Sequence, residues 1–284
     1  MNETRYYTVA RHPFSVTAEA KDFGLMQNYA PFQINRQQQA DDTLFALDIS
    51  DGEAPEYTEE IRQEEEGQVI ICGKTADEHP VFEFIWGRIT AGWLIAEADY
   101  LKAKLIIADD RERKMAIDNA LMILFALATA DKGTVLFHAA VVSHEGRGYM
   151  FLGASGTGKS THARLWLQHI EGTELVNDDN PVVRDHTVYG SPWSGKTPCY
   201  RNVSYPLGGI VLLSQAPHNK IRRLKGLQAY AALVPSISGK RWDSRIADGL
   251  HATENMLAGE VPMWHLECLP DREAALVCKI NIEN

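Results

Sequence analysis

Short apolar runs separated by polar or Gly/Pro breaks fill the first hundred or so residues. RYYTVA, TLFALDI, QVIICG, VFEFIW and KLIIAD have the length and composition of strands. Between them lie Gln37 to Gln39, an acidic stretch near Glu59, and Glu64 to Glu66. Runs of like charge repel and stay in water, so these segments read as solvated loops. The period then changes. From about Arg113 to Ala130, the positions Ile117, Leu121, Leu124, Phe125 and Ala128 recur at helical spacing and share one face. A boundary near Asp109 or Asp110 follows. Residues 1–109 form a smaller strand-rich N-terminal domain of unknown role, and residues 110–284 form a second domain.

In that second domain strands and helices alternate. VLFHAAVVS and YMFLG read as strands joined through the turn HEGRG in a hairpin. THARLWLQHI is a helix with Ala163, Trp166, Leu167 and Ile170 on one face. LVNDD is a strand ending in two acids. PVVR and TVYG form a hairpin around Asp185 and His186, and PLGGIVLLSQ is a buried strand. A helical region from Gly226 to about Ala258, broken near Pro235, precedes the strand MWHLEC and a final helix from Asp271 to about Cys278. The expected class is α/β.

Composition narrows the function classes. The 284 residues are 45% hydrophobic, enough for one large domain or two modest ones. The net charge of -10, with no basic stripe evident in the sequence, argues against a nucleic-acid partner, because phosphate neutralisation supplies most of such affinity. The N-terminus has no charged start followed by an apolar run, so it does not read as a secretory signal. No apolar stretch approaches the roughly 20 residues that span a bilayer. AIDNALMILFALATA is interrupted by Asp118 and Asn119 and reads as a buried amphipathic helix. Cys72, Cys199, Cys268 and Cys278 show no CxxC or metal spacing and read as buried or incidental thiols. The expected setting is the cytoplasm, with no membrane partner.

The segment GASGTGKS matches GxxxxGK[ST], a phosphate-binding loop. Gly153, Gly156 and Gly158 let the backbone wrap an anion without side-chain clashes. The successive N–H groups of Gly153, Ala154, Ser155, Gly156, Thr157 and Gly158 then point inward as a nest, and the helix opening at Lys159, Ser160 and Thr161 adds its positive end. Lys159 places an ammonium near the β- and γ-phosphates. The Ser160 hydroxyl suits magnesium, which takes oxygen donors. A strand before the motif and an amphipathic helix after it fit this reading. A glycine-rich turn that merely caps a helix is the alternative. The expected ligands are a nucleoside triphosphate, ATP by default because no N-K-x-D guanine motif is visible, and Mg2+.

Asp178 and Asp179 end the next expected strand, which in a parallel sheet brings them beside the loop. Phosphoryl transfer needs an acid that organises metal, and often a carboxylate that accepts the nucleophile's proton. Adjacent acids on a strand face opposite ways, so only some geometries let both serve. A pair capping a turn is the alternative. His138 lies in the strand before the loop strand, where a histidine is more often a satisfied core residue. His144 falls in the expected turn and reads as exposed. His162 lies in the first helical turn, pointing away from the site. In GSPWSGKTPCYRN, Lys196 and Arg201 could neutralise charge on a transferred phosphoryl group, or be solvated loop cations. Trp193 reads as a core residue rather than a base-stacking one.

FHAAVVS, GASGTGKS and LVNDD together resemble the HPr kinase/phosphorylase family and its relatives, the ATP-type phosphoenolpyruvate carboxykinases. The resemblance spans roughly Val135 to Leu213, with His138, Ser155, Lys159, Ser160, Asp178 and Asp179 on the family's motif positions. It implies a P-loop kinase fold with a twisted mixed sheet. It further implies Lys159 on phosphates, Ser160 and the aspartates at magnesium, and Asp178 or Asp179 assisting the acceptor hydroxyl with His138 nearby. Relatives by resemblance often form rings, so a homo-oligomer is among the expected partners. The chain lacks the later E-I-R-G-L-G run tied to phosphorolysis, and carries SPWSGK after the aspartates. RNVSYP is similar to the carboxykinase stretch N-T-R-V-S-Y-P with its arginine shifted by one, and carboxykinases are much longer. Neither HPr nor phosphorolysis therefore follows. The reading is a kinase-like phosphotransferase acting on a hydroxyl of an unknown protein or small-molecule acceptor. The alternative is an ATP-binding regulatory or maturation module with little turnover, whose strand-rich N-terminal region is the partner surface. An ATPase that drives movement is a weaker third.

Overall fold

The computed structural model describes residues 1–35, 43–65, 67–195 and 197–283. Gln37 to Gln39 and Glu66 lie outside the described residues. The architecture is α/β, with two large mixed sheets and few helices. The chain divides into two compact units, Met1–Ala128 and Thr129–Asn284.

In the first unit the strands are β1 (Glu3–Val9), β2 (His12–Ala18), β3 (Gln33–Ile34), β4 (Phe45–Asp51), β5 (Thr58–Glu65), β6 (Gln68–Lys74), β7 (Pro80–Trp86), β8 (Ile89–Ala96) and β9 (Lys102–Ile107). The helices are α1 (Ala20–Leu25) and α2 (Arg113–Thr129). The strands form one sheet in the order β3-β1-β2-β4-β9-β8-β7-β6-β5. The pairs β2–β4 and β4–β9 are parallel, and the neighbours on either side are antiparallel.

The five apolar runs of the sequence pattern lie in β1, β4, β6, β7 and β9, and β2, β3, β5 and β8 are further strands. The acidic stretch holding Glu59, Glu64 and Glu65 is not a loop but β5, the exposed edge of the sheet. Its charges are compatible with a strand because they face water, and Arg62 and Lys74 bridge Glu59 and Glu60. An edge lined with charge also resists pairing with another chain. β8 is hidden from the pattern by Gly92, which sits where a Cβ would lie 2.3 Å from the Ile106 carbonyl oxygen, so the neighbouring backbone requires glycine.

Sequence periodicity puts a boundary before α2, whereas the compact units separate after Ala128. The side chains explain the difference. Asn28 donates to Asp118 at 3.0 Å. The buried Arg113 guanidinium donates to Asp22 at 2.6 Å and also pairs with Asp51 and Asp110. Burial alone would lower the Arg113 pKa, but the three carboxylates raise it further.

The second unit contains β10 (Thr134–Leu136), β11 (Ala140–His144), β12 (Arg147–Leu152), β13 (Glu174–Asn177), β14 (Val182–Arg184), β15 (Thr187–Tyr189), β16 (Ser204–Gln215), β17 (Lys220–Leu224) and β18 (Met263–Cys268). Its helices are α3 (Lys159–His169), α4 (Leu227–Leu233), α5 (Ser244–Glu260) and α6 (Arg272–Ile282). Strand β16 joins two paths. Its first residues pair with β15, which leads through β14 to β10. Its later residues pair in parallel with β12 on one side and β18 on the other. β11 and then β13 lie beyond β12, and β17 lies beyond β18. Trp166 is fully buried, its ring against Tyr149 and Phe151.

VLFHAAVVS is two strands rather than one. Between them the amides of Phe137, His138 and Ala139 donate to Pro181, Ser236 and Asp179 carbonyls instead of a ladder neighbour. Both expected hairpins are present. Glu145 and Gly146 at one turn, and Asp185 and His186 at the other, have the positive φ that a two-residue I′ turn needs. The last helix extends to Ile282, because Ala274, Cys278 and Ile282 keep one buried face going. Cys72, Cys199 and Cys278 are buried, Cys268 is half-buried, and all four are free thiols.

Replacing Arg113 with Ala leaves Asp22 buried without its cation. Urea unfolding followed through the first unit should show a loss of about 3–5 kcal/mol.

Candidate functional site

The glycine loop leaves the end of β12 and runs into α3. Gly153 has φ 155°, and a Cβ there would lie 3.0 Å from Thr157 Cγ2 and 3.3 Å from the Leu213 carbonyl oxygen. Gly158 is the residue before α3 and has φ 108°, which a side chain would strain. Thr157 N donates to the Ala154 carbonyl at 3.1 Å, and Gln215 at the end of β16 donates to that of Gly156 at 3.2 Å. Ala154, Ser155 and Gly156 face solvent, while Ser160 and Thr161 are half-buried. Lys159 is buried, and its ammonium donates to the carbonyls of Gly153 at 3.0 Å and Ala154 at 3.4 Å. The cation is therefore held within the loop.

The acids reach this loop by a route the sequence pattern did not specify. β13 does not pair with β12. Both pair antiparallel with β11, which lies between them. β12 and β13 therefore run the same way and finish at the edge where β11 begins. The loop follows β12 at that edge, Asp178 and Asp179 follow β13, and His138 precedes β11. His138 Nε2 lies 3.3 Å from Asp179 Oδ1. Burial raises the Asp179 pKa, opposed by the nearby charges of His138 and Lys159 and reinforced by that of Asp178. The two acids lie beyond the end of β13, so strand alternation does not dictate their directions.

A buried polar knot fixes the acidic turn. The Asn177 side chain is completely buried. Its oxygen accepts from the amides of Asp179 and Asn180, both at 2.8 Å. Its nitrogen donates to Ser191 Oγ at 3.1 Å and the Trp193 carbonyl at 3.0 Å. Ser191 Oγ also donates to the Asn180 carbonyl at 2.6 Å, and Asn180 Nδ2 donates to Asp179 Oδ2 at 2.9 Å. Asp178 Oδ2 accepts from Thr197 N at 3.2 Å. A Cβ on Gly195 would sit 3.1 Å from that of Asp179. Ser191 to Gly195, and Thr197, thus lie against the turn that carries both aspartates. Asn177, Asn180, Ser191 and Gly195 were not singled out as site residues. Their signal was a buried strand closing on Asn-Asp-Asp-Asn, a polar cluster that needs internal partners.

Other candidates lie elsewhere. Arg201 donates to the Leu175 carbonyl at 2.7 Å and to Glu174 at 2.6 Å, at the start of β13. Lys196 lies outside the described residues. Trp193 is buried, its carbonyl serving the knot. His162 faces the core against Phe151 and accepts from Trp166 at 3.2 Å. Burial pushes its pKa down to about 4. His144 is not exposed: it ends β11 with Nδ1 2.7 Å from Glu283 Oε1, at the sheet edge opposite the loop. With Glu145 and Glu283 it forms a small group of metal-type donors, which Lys279 already neutralises through Glu283.

No family model matches the chain, and no curated protein matches it.

Two outcomes test the site's construction. Asn177→Ala deprives two amides and a hydroxyl of their partner, and thermal or urea unfolding should show a loss of about 2–3 kcal/mol. Asp179→Asn should raise the melting temperature at pH 7. The raised native pKa of Asp179 means its charge costs stability above its ordinary pKa, a cost that grows as pH rises towards the native value and is constant above it. The gain should vanish below about pH 4, where the carboxyl is protonated in both folded and unfolded chains.

Proposed function

We propose that this protein is an ATP- and magnesium-dependent phosphotransferase of P-loop kinase type, transferring a γ-phosphoryl group to a hydroxyl. One observation carries the reading. The His138–Asp179 pair, Asp178 and the buried Lys159 ammonium interact at the edge where the glycine loop opens α3. The resemblance of three stretches to the HPr kinase/phosphorylase family supports the same assignment.

Each group has a distinct task. The loop amides and Lys159 bind and orient the phosphates, with the α3 N-terminus favouring their negative charge. Ser160 and Asp178 offer a hydroxyl and a carboxylate oxygen, donors of the kind that would fit magnesium. Magnesium, when bound, supplies charge neutralisation on the phosphate oxygens. Asp179 takes the acceptor hydroxyl's proton as its oxygen bonds to the γ-phosphorus and the bond to the ADP oxygen breaks. A pKa raised by burial makes Asp179 a stronger base than an exposed carboxylate. His138 holds Asp179 through Oδ1, and Asn180 holds Oδ2. Ser191 to Gly195 and Thr197 border the aspartates on one side.

Transfer of label from γ-labelled ATP to an acceptor pool should fall about 100- to 1,000-fold in Lys159→Ala and in Asp179→Asn. Transfer that survives both changes would overturn the proposal. ATP binding without transfer to any acceptor would instead identify a nucleotide-binding regulatory module.

A further inference from the structure

The second unit has a basic feature that the nucleotide site does not use. β17 reads KIRRL and is followed by Lys225. It pairs only with β18, so its outer edge is open among the described residues. Lys220, Arg222, Arg223 and Lys225 are all exposed. No carboxylate pairs with any of them among the described residues, although the chain has 38 acidic and 28 basic side chains. Arg222 donates to Gln228 at 3.2 Å, and Arg223 stacks 4.3 Å over the Trp264 ring. Arg223 and Lys225 enter a cleft of about 790 Å³ between the end of β17 and α5. Leu227, 81% exposed, stands at its rim. The one acid in the lining, Glu260, is paired with His186 at 2.9 Å.

Edge protection alone does not account for this row. β5 protects its edge with glutamates partly balanced by Arg62 and Lys74, whereas at β17 only Lys220 has a carboxylate opposite it in the ladder, Glu267, which lies 3.7 Å from His218. A nucleic acid fits poorly, because its affinity rests on neutralised phosphates, and this short row stands on a chain of net charge -10. An extended polypeptide fits better. It can add to the open edge through backbone hydrogen bonds, with carboxylates at alternate positions meeting the strand's period of two.

We propose that β17 and the adjoining cleft dock an extended acidic segment of a polypeptide substrate. This rests on the phosphotransferase reading and names the acceptor class as a protein rather than a small molecule. Leu224 pairs with Met263 at the start of β18, so the cleft lies at the sheet end opposite the glycine loop. Strand rise and spacing put Leu224 and Gly153 roughly 18 Å apart. The acidic segment must then be separated from the acceptor hydroxyl by at least about five extended residues.

The test measures anisotropy of a fluorescein-labelled peptide of alternating Glu and Thr against the full chain at low salt. The wild-type chain should bind it, and a Lys220→Glu/Lys225→Glu chain should bind about tenfold more weakly. Both positions are exposed, which avoids disturbing the Arg223–Trp264 stack, and circular dichroism checks folding. Lys159→Ala should bind the peptide as the wild type does, so a failure of phosphoryl transfer leaves this result intact. The docking proposal is overturned if the wild type does not bind, if the reversed variant binds equally, or if oligothymidylate binds more tightly than the peptide.

Discussion

A strand that ends inside a protein leaves backbone amides and carbonyls in need of partners, and the side chain of Asn177 meets that need for the acidic turn. One buried amide accepts from two amides of the turn and donates to the loop that covers it. An aspartate at this position could accept but not donate, and a leucine could do neither. The position of the turn that carries Asp178 and Asp179, and of the loop beside it, depends on this group.

The sheet supplies the second half of the arrangement. Because β11 runs against both β12 and β13, the glycine loop and the acids emerge at one edge with His138 between them. An interposed antiparallel strand keeps the two loops about two strand spacings apart, close to 10 Å.

Much of this was legible in the sequence. The GASGTGKS loop, the helix after it and both I′ hairpins have local causes, namely glycine positions, helical spacing and turn residues. They occur where the pattern puts them. The edge strand β5 was hidden because its residues are chosen for the water they face rather than for a core. The split of VLFHAAVVS was hidden because Phe137 to Ala139 find their partners at Pro181, Ser236 and Asp179, far along the chain. His144 looked exposed from its place beside a turn, but Glu283 reaches it from the last helix's end. Local periodicity cannot report such long-range partners, and the β11 interposition is of the same kind.

The Arg113 cluster has a consequence for heat. Asp22, Asp51 and Asp110 converge on one buried guanidinium. Hydration of charged groups weakens on warming, so the cost of keeping Arg113 and Asp22 out of water falls just as the gain from apolar burial levels off. The cluster thus becomes relatively more favourable as temperature rises. It gives the first unit a fastening that tightens, in relative terms, under conditions that loosen the rest of its packing.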